Sequence, residues 1–185
     1  MIVIIDPGHG MSNRRANQYD PGACADGASE AVIVMNWANE LRSILKARKV
    51  AVVRTRADAN DPAPVGQRAA IAKRYKGDIM VSLHCNAADG KASGTETFYR
   101  GGSNKDLASR LNLAVSLSLG TKNRGVKTES QSQHPTLAVM AFQPCFLIEL
   151  GFIDHSGDRM KLLDEDLRRK ACTALADILI DSLTV

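Results

Sequence analysis

The sequence predicts a single layered α/β domain, and three observations carry that prediction. Runs of strand character alternate with helical patterns from one end of the chain to the other. Three of the strand runs are almost continuously apolar, as expected for strands covered on both faces. The length, 185 residues, suits one ordinary domain with its own core and leaves no room for a second.

The expected strands, in order, are Met1 to Asp6, Val50 to Thr55, Asp78 to Cys85, Thr95 to Arg100, Leu137 to Met140 and Cys145 to Leu150, six in all. Between the first two lies a helical pattern from Glu30 to Arg48, with Val34, Trp37, Ala38, Leu41, Ile44 and Leu45 on one stripe. Ser29 suits its N-cap, and Lys46, Arg48 and Lys49 suit the negative end of its dipole. A second helix is expected to begin near Pro64, after a turn at Asn60 and Asp61, and to run through Arg68, Ile71 and Ala72 toward Tyr75. A third spans Lys105 to Leu119, and a last runs from Leu167 through Ala171, Leu175, Ile178 and Leu179 to Leu183. The polar stretch from Thr121 to Pro135 reads as a mobile surface loop.

Composition narrows the function. Lys and Arg number 24 against 20 Asp and Glu, a net charge of +4, which is too balanced for a nucleic-acid partner. Aromatic residues are only 4%, so stacking platforms are scarce. No apolar run is long enough to span a membrane. The run Met1 to Ile5 ends at Asp6 with no basic residue before it, which is not a signal peptide; synthesis in the cytoplasm is the expectation. Cys24, Cys85, Cys145 and Cys172 are scattered without metal-type spacing and are expected to be reduced.

Polar residues at the ends of the apolar strands mark where chemistry belongs. His9 follows the first strand through Pro7-Gly8, His84 closes the third, and Glu149 lies near the end of the last. In open α/β sheets the ligand site lies beyond the carboxyl ends of the strands, so these side chains can converge, and Glu30 at the start of the first helix can join them. Two imidazoles and a carboxylate form a catalytic zinc set with a fourth position for water, and a second glutamate can then act as base. Cys85 is expected to face a helix, because its neighbour His84 faces the cleft.

The words around these residues are more specific. Asp6-Pro7-Gly8-His9-Gly10, Asp20-Pro21-Gly22-Ala23 with Gly27 leading to Glu30, Ser82-Leu83-His84-Cys85-Asn86-Ala87, and Ile148-Glu149-Leu150-Gly151-Phe152-Ile153 follow one another in order. Together they resemble the zinc-dependent N-acetylmuramoyl-L-alanine amidases of the amidase type 3 family, over about Ile2 to Leu183. Arg68 with Ile71 and Ala72 is similar to the family's second-helix pattern.

The resemblance implies a twisted, mostly parallel sheet of about six strands flanked by helices. It implies one Zn²⁺ held by His9, Glu30 and His84, with Glu149 as the catalytic glutamate. The implied substrate is peptidoglycan, cut between N-acetylmuramic acid and L-alanine. Met11, Ala31, Lys73 and the pair Asp154-His155 depart from the usual family residues, and none of them is a proposed ligand or base.

Arg68, Asn86 and His134 are the candidate substrate contacts: Arg68 for a stem-peptide carboxylate, or else paired with a neighbouring acid or on a solvated helix face; Asn86, past a strand end, to orient a ligand or a loop; and His134 from the polar loop. With the whole length taken up by the catalytic domain and no wall-binding domain beside it, the expectation is an endolysin-like enzyme. Such an enzyme accumulates in the cytoplasm and reaches the wall at phage- or prophage-driven lysis. A zinc peptidase cutting within the stem peptide and a non-catalytic wall-binding module are the alternatives.

Overall fold

A computed structural model describes residues 1–134 and 136–182; Pro135 of the expected loop and Leu183 of the expected last helix lie outside the described residues. The sheet strands are β1 (Ile2–Pro7), β2 (Ala51–Arg54), β3 (Ile79–Asn86), β4 (Thr95–Tyr99), β5 (Asn123–Thr128) and β6 (Cys145–Phe152). The helices are α1 (Glu30–Ala47), α2 (Arg68–Arg74), α3 (Lys105–Leu119), α4 (Ser156–Leu163) and α5 (Glu165–Ser182). Strand order is β2-β1-β3-β6-β4-β5. Every neighbouring pair is parallel except β6 with β4.

Alternation sorts the strand side chains onto two unequal layers. Val3, Ile5, Ile79, Val81, Leu83 and Cys85 point to the side covered by α1, α3 and α5, where Trp37, Leu41, Leu111 and Leu175 complete the larger core. Ile4, Met80, Cys145 and Leu147 point to the other side, closed by Ala69 and Ala72 of α2 and by Val139 and Met140. Trp37 is fully buried and its Nε1 donates to the carbonyl of Leu162 at 3.1 Å, tying α1 to α4. Cys85 thus faces the helices, as expected. All four cysteines are free thiols, and only Cys24 is exposed. Among the described residues no helix is long and apolar enough to cross a membrane.

Two assignments from sequence are corrected. Leu137 to Met140 is not a strand: Ala138–Ala141 forms a 3₁₀ turn, with Val139 and Met140 buried against α2. An apolar run of that length can be buried by packing as well as by pairing, and periodicity does not separate the two. The sixth strand is instead β5, inside the segment expected to be a loop. It pairs in parallel with β4 at the sheet margin, and its polar character follows from being an edge strand with partly solvated residues. The helix α4 was also not read from sequence; the imidazole of His155 caps it, accepting from the Asp158 N–H at 3.1 Å.

The chain leaves β1 toward β2 on one side and returns to β3 on the other. The carboxyl ends of β1 and β3 therefore border a topological switch point, the place where such sheets open a crevice.

Candidate active site and metal centre

His9 sits in the turn after β1 with φ of 59°, followed by Gly10 at 96°. Left-handed backbone is uncommon at a residue with a Cβ and is sustained only where surrounding contacts determine it. Here two buried arginines supply those contacts. Arg68 donates to the carbonyls of Pro7 at 2.8 Å and His9 at 2.7 Å, to Asn13 Oδ1 at 2.9 Å and to the Ala63 carbonyl. Arg56 donates to the carbonyls of Pro7, Gly8 and Ala31. The turn bearing His9 and the first turn of α1 are thereby held to one another.

The sequence leaves Arg68 a substrate contact, a pairing with a neighbouring acid or a solvated helix face, and the structure shows the pairing with an acid. Its side chain is 2% exposed, and each guanidinium nitrogen is already bonded within the protein. It is a positioning residue for the His9 turn. Its charge is balanced by Asp6, whose Oδ1 accepts from Arg68 at 2.8 Å and from Thr55, while Oδ2 accepts from Ser82 at 2.6 Å. Burial alone would raise the Asp6 carboxyl; Arg68 and the two hydroxyls outweigh it and hold it below the usual range.

The first residue of α1, Glu30, is buried and reaches both imidazoles. One carboxylate oxygen lies 3.0 Å from His9 Nε2 and the other 2.9 Å from His84 Nδ1. The same carboxylate accepts from the N–H groups of Ala23 at 3.0 Å and Cys85 at 2.9 Å. Burial pushes Glu30 up, but His84 and then His9 outweigh it, so the carboxyl is held far below its ordinary value. His9 shows the converse. Burial would lower it, and its contacts with Glu30 and Asp20 hold it above the ordinary imidazole value.

His9, Glu30 and His84 each offer a ligand atom, and these atoms all lie within 4.8 Å of one another. Two imidazoles and one carboxylate are the donor set of a catalytic zinc site. The remaining His9 nitrogen, Nδ1, lies 3.1 Å from Asp20 Oδ2. Asp20 is held in turn by Asn13 at 2.7 Å and the Gly22 N–H at 2.9 Å, the outer support that metal-ligating histidines ordinarily have. Asp20 lies within a motif singled out from sequence, but its partnership with His9 depends on a ribbon in which Gly10 pairs with Asp20. The residues present therefore fit a zinc ion.

Glu149 stands directly beside His84 in the β3/β6 ladder and opposite Glu96 in the β6/β4 ladder. Its Oε2 is buried without a hydrogen-bond partner among the described residues. Burial, reinforced by the charges of Glu30 and Glu96, pushes its carboxyl well above the usual range. Such an oxygen, on a residue that borders the cleft and left without a donor, suits proton transfer better than a structural role.

The cleft around these residues has a volume of about 470 Å³ and is bordered by His9, Glu30, His84, Glu149, Asn86 and His134. Asn86 donates to Glu96 at 3.0 Å and accepts from the Ala87 N–H, so it anchors the cleft wall. His134 is exposed at the rim. Glu96, Arg124 and Lys127, which sequence reading did not single out, form a charged cluster on the same wall.

Comparison with known proteins adds an independent line. The profile of the family described as N-acetylmuramoyl-L-alanine amidase matches residues 3–181. The chain is 35% identical over 179 residues to the uncharacterized protein YqiI of Bacillus subtilis (strain 168), covering 95% of this chain and 81% of that protein. It is 30% identical over 183 residues to N-acetylmuramoyl-L-alanine amidase LytC of the same organism, covering 95% of this chain but only 34% of LytC. It is also 30% identical over 174 residues to an endolysin of Bacillus phage SPP1, covering 89% of this chain and 59% of the endolysin. Among solved structures, the catalytic domain of CwlV, an N-acetylmuramoyl-L-alanine amidase from Bacillus (Paenibacillus) polymyxa var. colistinus, superposes with a TM-score of 0.85 at 27% identity. That match covers 100% of this chain and 98% of the CwlV domain.

Proposed function

The chain belongs to the N-acetylmuramoyl-L-alanine amidase family, and on that premise we propose that it hydrolyses the amide between the lactyl group of N-acetylmuramic acid and L-alanine in peptidoglycan. The observation that carries the reading is the His9-Glu30-His84 cluster beside the unpartnered carboxylate oxygen of Glu149.

His9, Glu30 and His84 would hold one zinc ion, with Asp20 orienting the His9 ring and the Arg68 and Arg56 clamps fixing the turn that carries it. When bound, zinc polarises a carbonyl oxygen and lowers the pKa of water toward neutrality. Glu149 Oε2 takes the proton from the attacking water and delivers it to the departing nitrogen of L-alanine. Burial raises its affinity for a proton above that of an ordinary carboxylate, the direction that suits a group which takes up a proton and passes it on. Leu137, Leu147, Phe98 and Phe152 line the cleft and lower the local dielectric in which that transfer occurs.

The setting we infer is release to the wall at phage- or prophage-driven lysis, a reading supported by the likeness to the SPP1 endolysin. Digestion of purified sacculi, with chelator and then with zinc restored, tests the activity. Chelator-sensitive release of stem peptides with a free L-alanine amine is the expected product. A new amine from a later stem residue would make the enzyme a peptidase, and wall binding without any hydrolysis would make it a binding module.

A further inference from the structure

Beside Glu149, the cleft wall carries two cations built around one buried carboxylate. Glu96 is only 4% exposed, and its Oε2 accepts from Arg124 Nε and from Lys127 Nζ, each at 2.7 Å. Asn86 occupies its other oxygen. Each cation also rests on an aromatic face: the Arg124 guanidinium carbon lies 4.9 Å from the Phe152 ring centroid and Lys127 Nζ lies 5.8 Å from that of Phe98. Arg124 additionally reaches the Ser93 carbonyl through Nη1 at 3.3 Å. Long cationic side chains are costly to order; Arg124 is held from three directions and Lys127 from two.

The pair is not neutralised by its holder. Two positive charges share one carboxylate, and both side chains remain about a third exposed, at 29% and 31%. Among the described residues, Nη2 of Arg124 makes no hydrogen bond, and Lys127 Nζ uses one of its three donors. The surplus positive charge and the spare donors line the same cleft as the His9-Glu30-His84 cluster. Glu96 lies directly across the ladder from Glu149, so the carboxylate that holds both cations neighbours the proposed base.

Resting on the amidase reading above, we propose that Arg124 and Lys127 form a carboxylate-binding subsite. It recognises the free α-carboxylate of the γ-linked D-glutamyl residue that follows L-alanine in the stem peptide. That carboxylate is the first anionic group on the peptide side of the scissile bond. One extended residue spans only about 3.5 Å, so the second residue beyond the cut stays within the cleft that Arg124 and Lys127 line together with His9, Glu30 and His84. The subsite discriminates against stems in which this carboxylate is amidated, because an amide offers no charge to the surplus cation and presents N–H donors to donors.

The test compares L-Ala-γ-D-Glu with its α-amide, L-Ala-D-isoglutamine, by calorimetric titration of the zinc-loaded protein. In parallel, kcat/KM is measured for the matching N-acetylmuramoyl peptides. Wild type is expected to favour the free carboxylate by about tenfold in both assays, the scale of one charge-assisted hydrogen bond. Lys127→Gln, which keeps a donor for Glu96, and Arg124→Gln are each expected to bring the preference for the free carboxylate down toward unity in both assays. Equal affinity of wild type for the two peptides would overturn the subsite, as would variants that lose both substrates alike. Failure to cleave either substrate while the binding preference persists would overturn the amidase reading and leave the subsite standing.

Discussion

A Cβ built on Gly8 would stand 2.4 Å from Cε1 of His84. The turn that presents one imidazole of the site thus also makes room for the other, across neighbouring strands β1 and β3. Gly8→Ala is expected to push His84 out of reach of Glu30 and to weaken zinc binding by about tenfold or more. Competition with a chromophoric chelator measures this, and unchanged zinc affinity would show that the His84 ring has room to spare.

Glu149→Gln replaces a carboxylate whose buried oxygen has no partner with a neutral group of the same shape. Since burial already disfavours the charge there, the variant is expected to match or exceed wild type in Tm and to keep its zinc. Activity is expected to fall by about 10²- to 10⁴-fold. Turnover near the wild-type rate would remove Glu149 from the role of base.

Asp20→Asn leaves His9 in place but removes the carboxylate that faces its Nδ1. Zinc affinity is expected to drop by about 10- to 100-fold while the fold is retained. If the loss instead appears only in kcat at saturating zinc, Asp20 acts on substrate and not on His9.

Asp6 links stability to acid pH. Its carboxyl is held below the ordinary 3.8 in the folded protein. The unfolded chain therefore binds its proton first as pH falls, and the stabilisation, fully present above about pH 4, is lost as pH drops through the folded value. Asp6→Asn should flatten this acid limb in urea titrations between about pH 4 and pH 2. At pH 7 it should cost about 3–5 kcal/mol, because Arg68 would be left buried without its counter-charge. An acid limb of unchanged slope would assign it to other carboxylates, with Glu96 the next to test: burial raises its carboxyl, but Lys127 and Arg124 outweigh that and hold it below the ordinary value.

Much of the architecture was legible because its signals are local. β1, β3 and β6 are the apolar runs buried on both faces, and α1 and α3 fall where the helical periodicity puts them. What failed was a matter of context. Asn123–Thr128 is a strand because the margin of β4 was open to it, although Asn-Arg-Gly-Val-Lys-Thr carries little strand character of its own. Val139 and Met140 are apolar because they cover α2, and among the described residues no strand pairs with them.

The site divides along the same line. By itself the sequence determined the chemical groups: two histidines and two glutamates at strand and helix ends, in motifs that identify the family. Tertiary structure alone decided what each group touches. It decided among the roles open to Arg68 by burying it as a clamp on the His9 turn, gave His9 its partner Asp20, and set Glu96 opposite Glu149 with two cations in its grip. The physical reason is that hydrogen-bond partners and the cost of burying a charge depend on strand register and on segments far apart in the chain, and neither is written in local spacing.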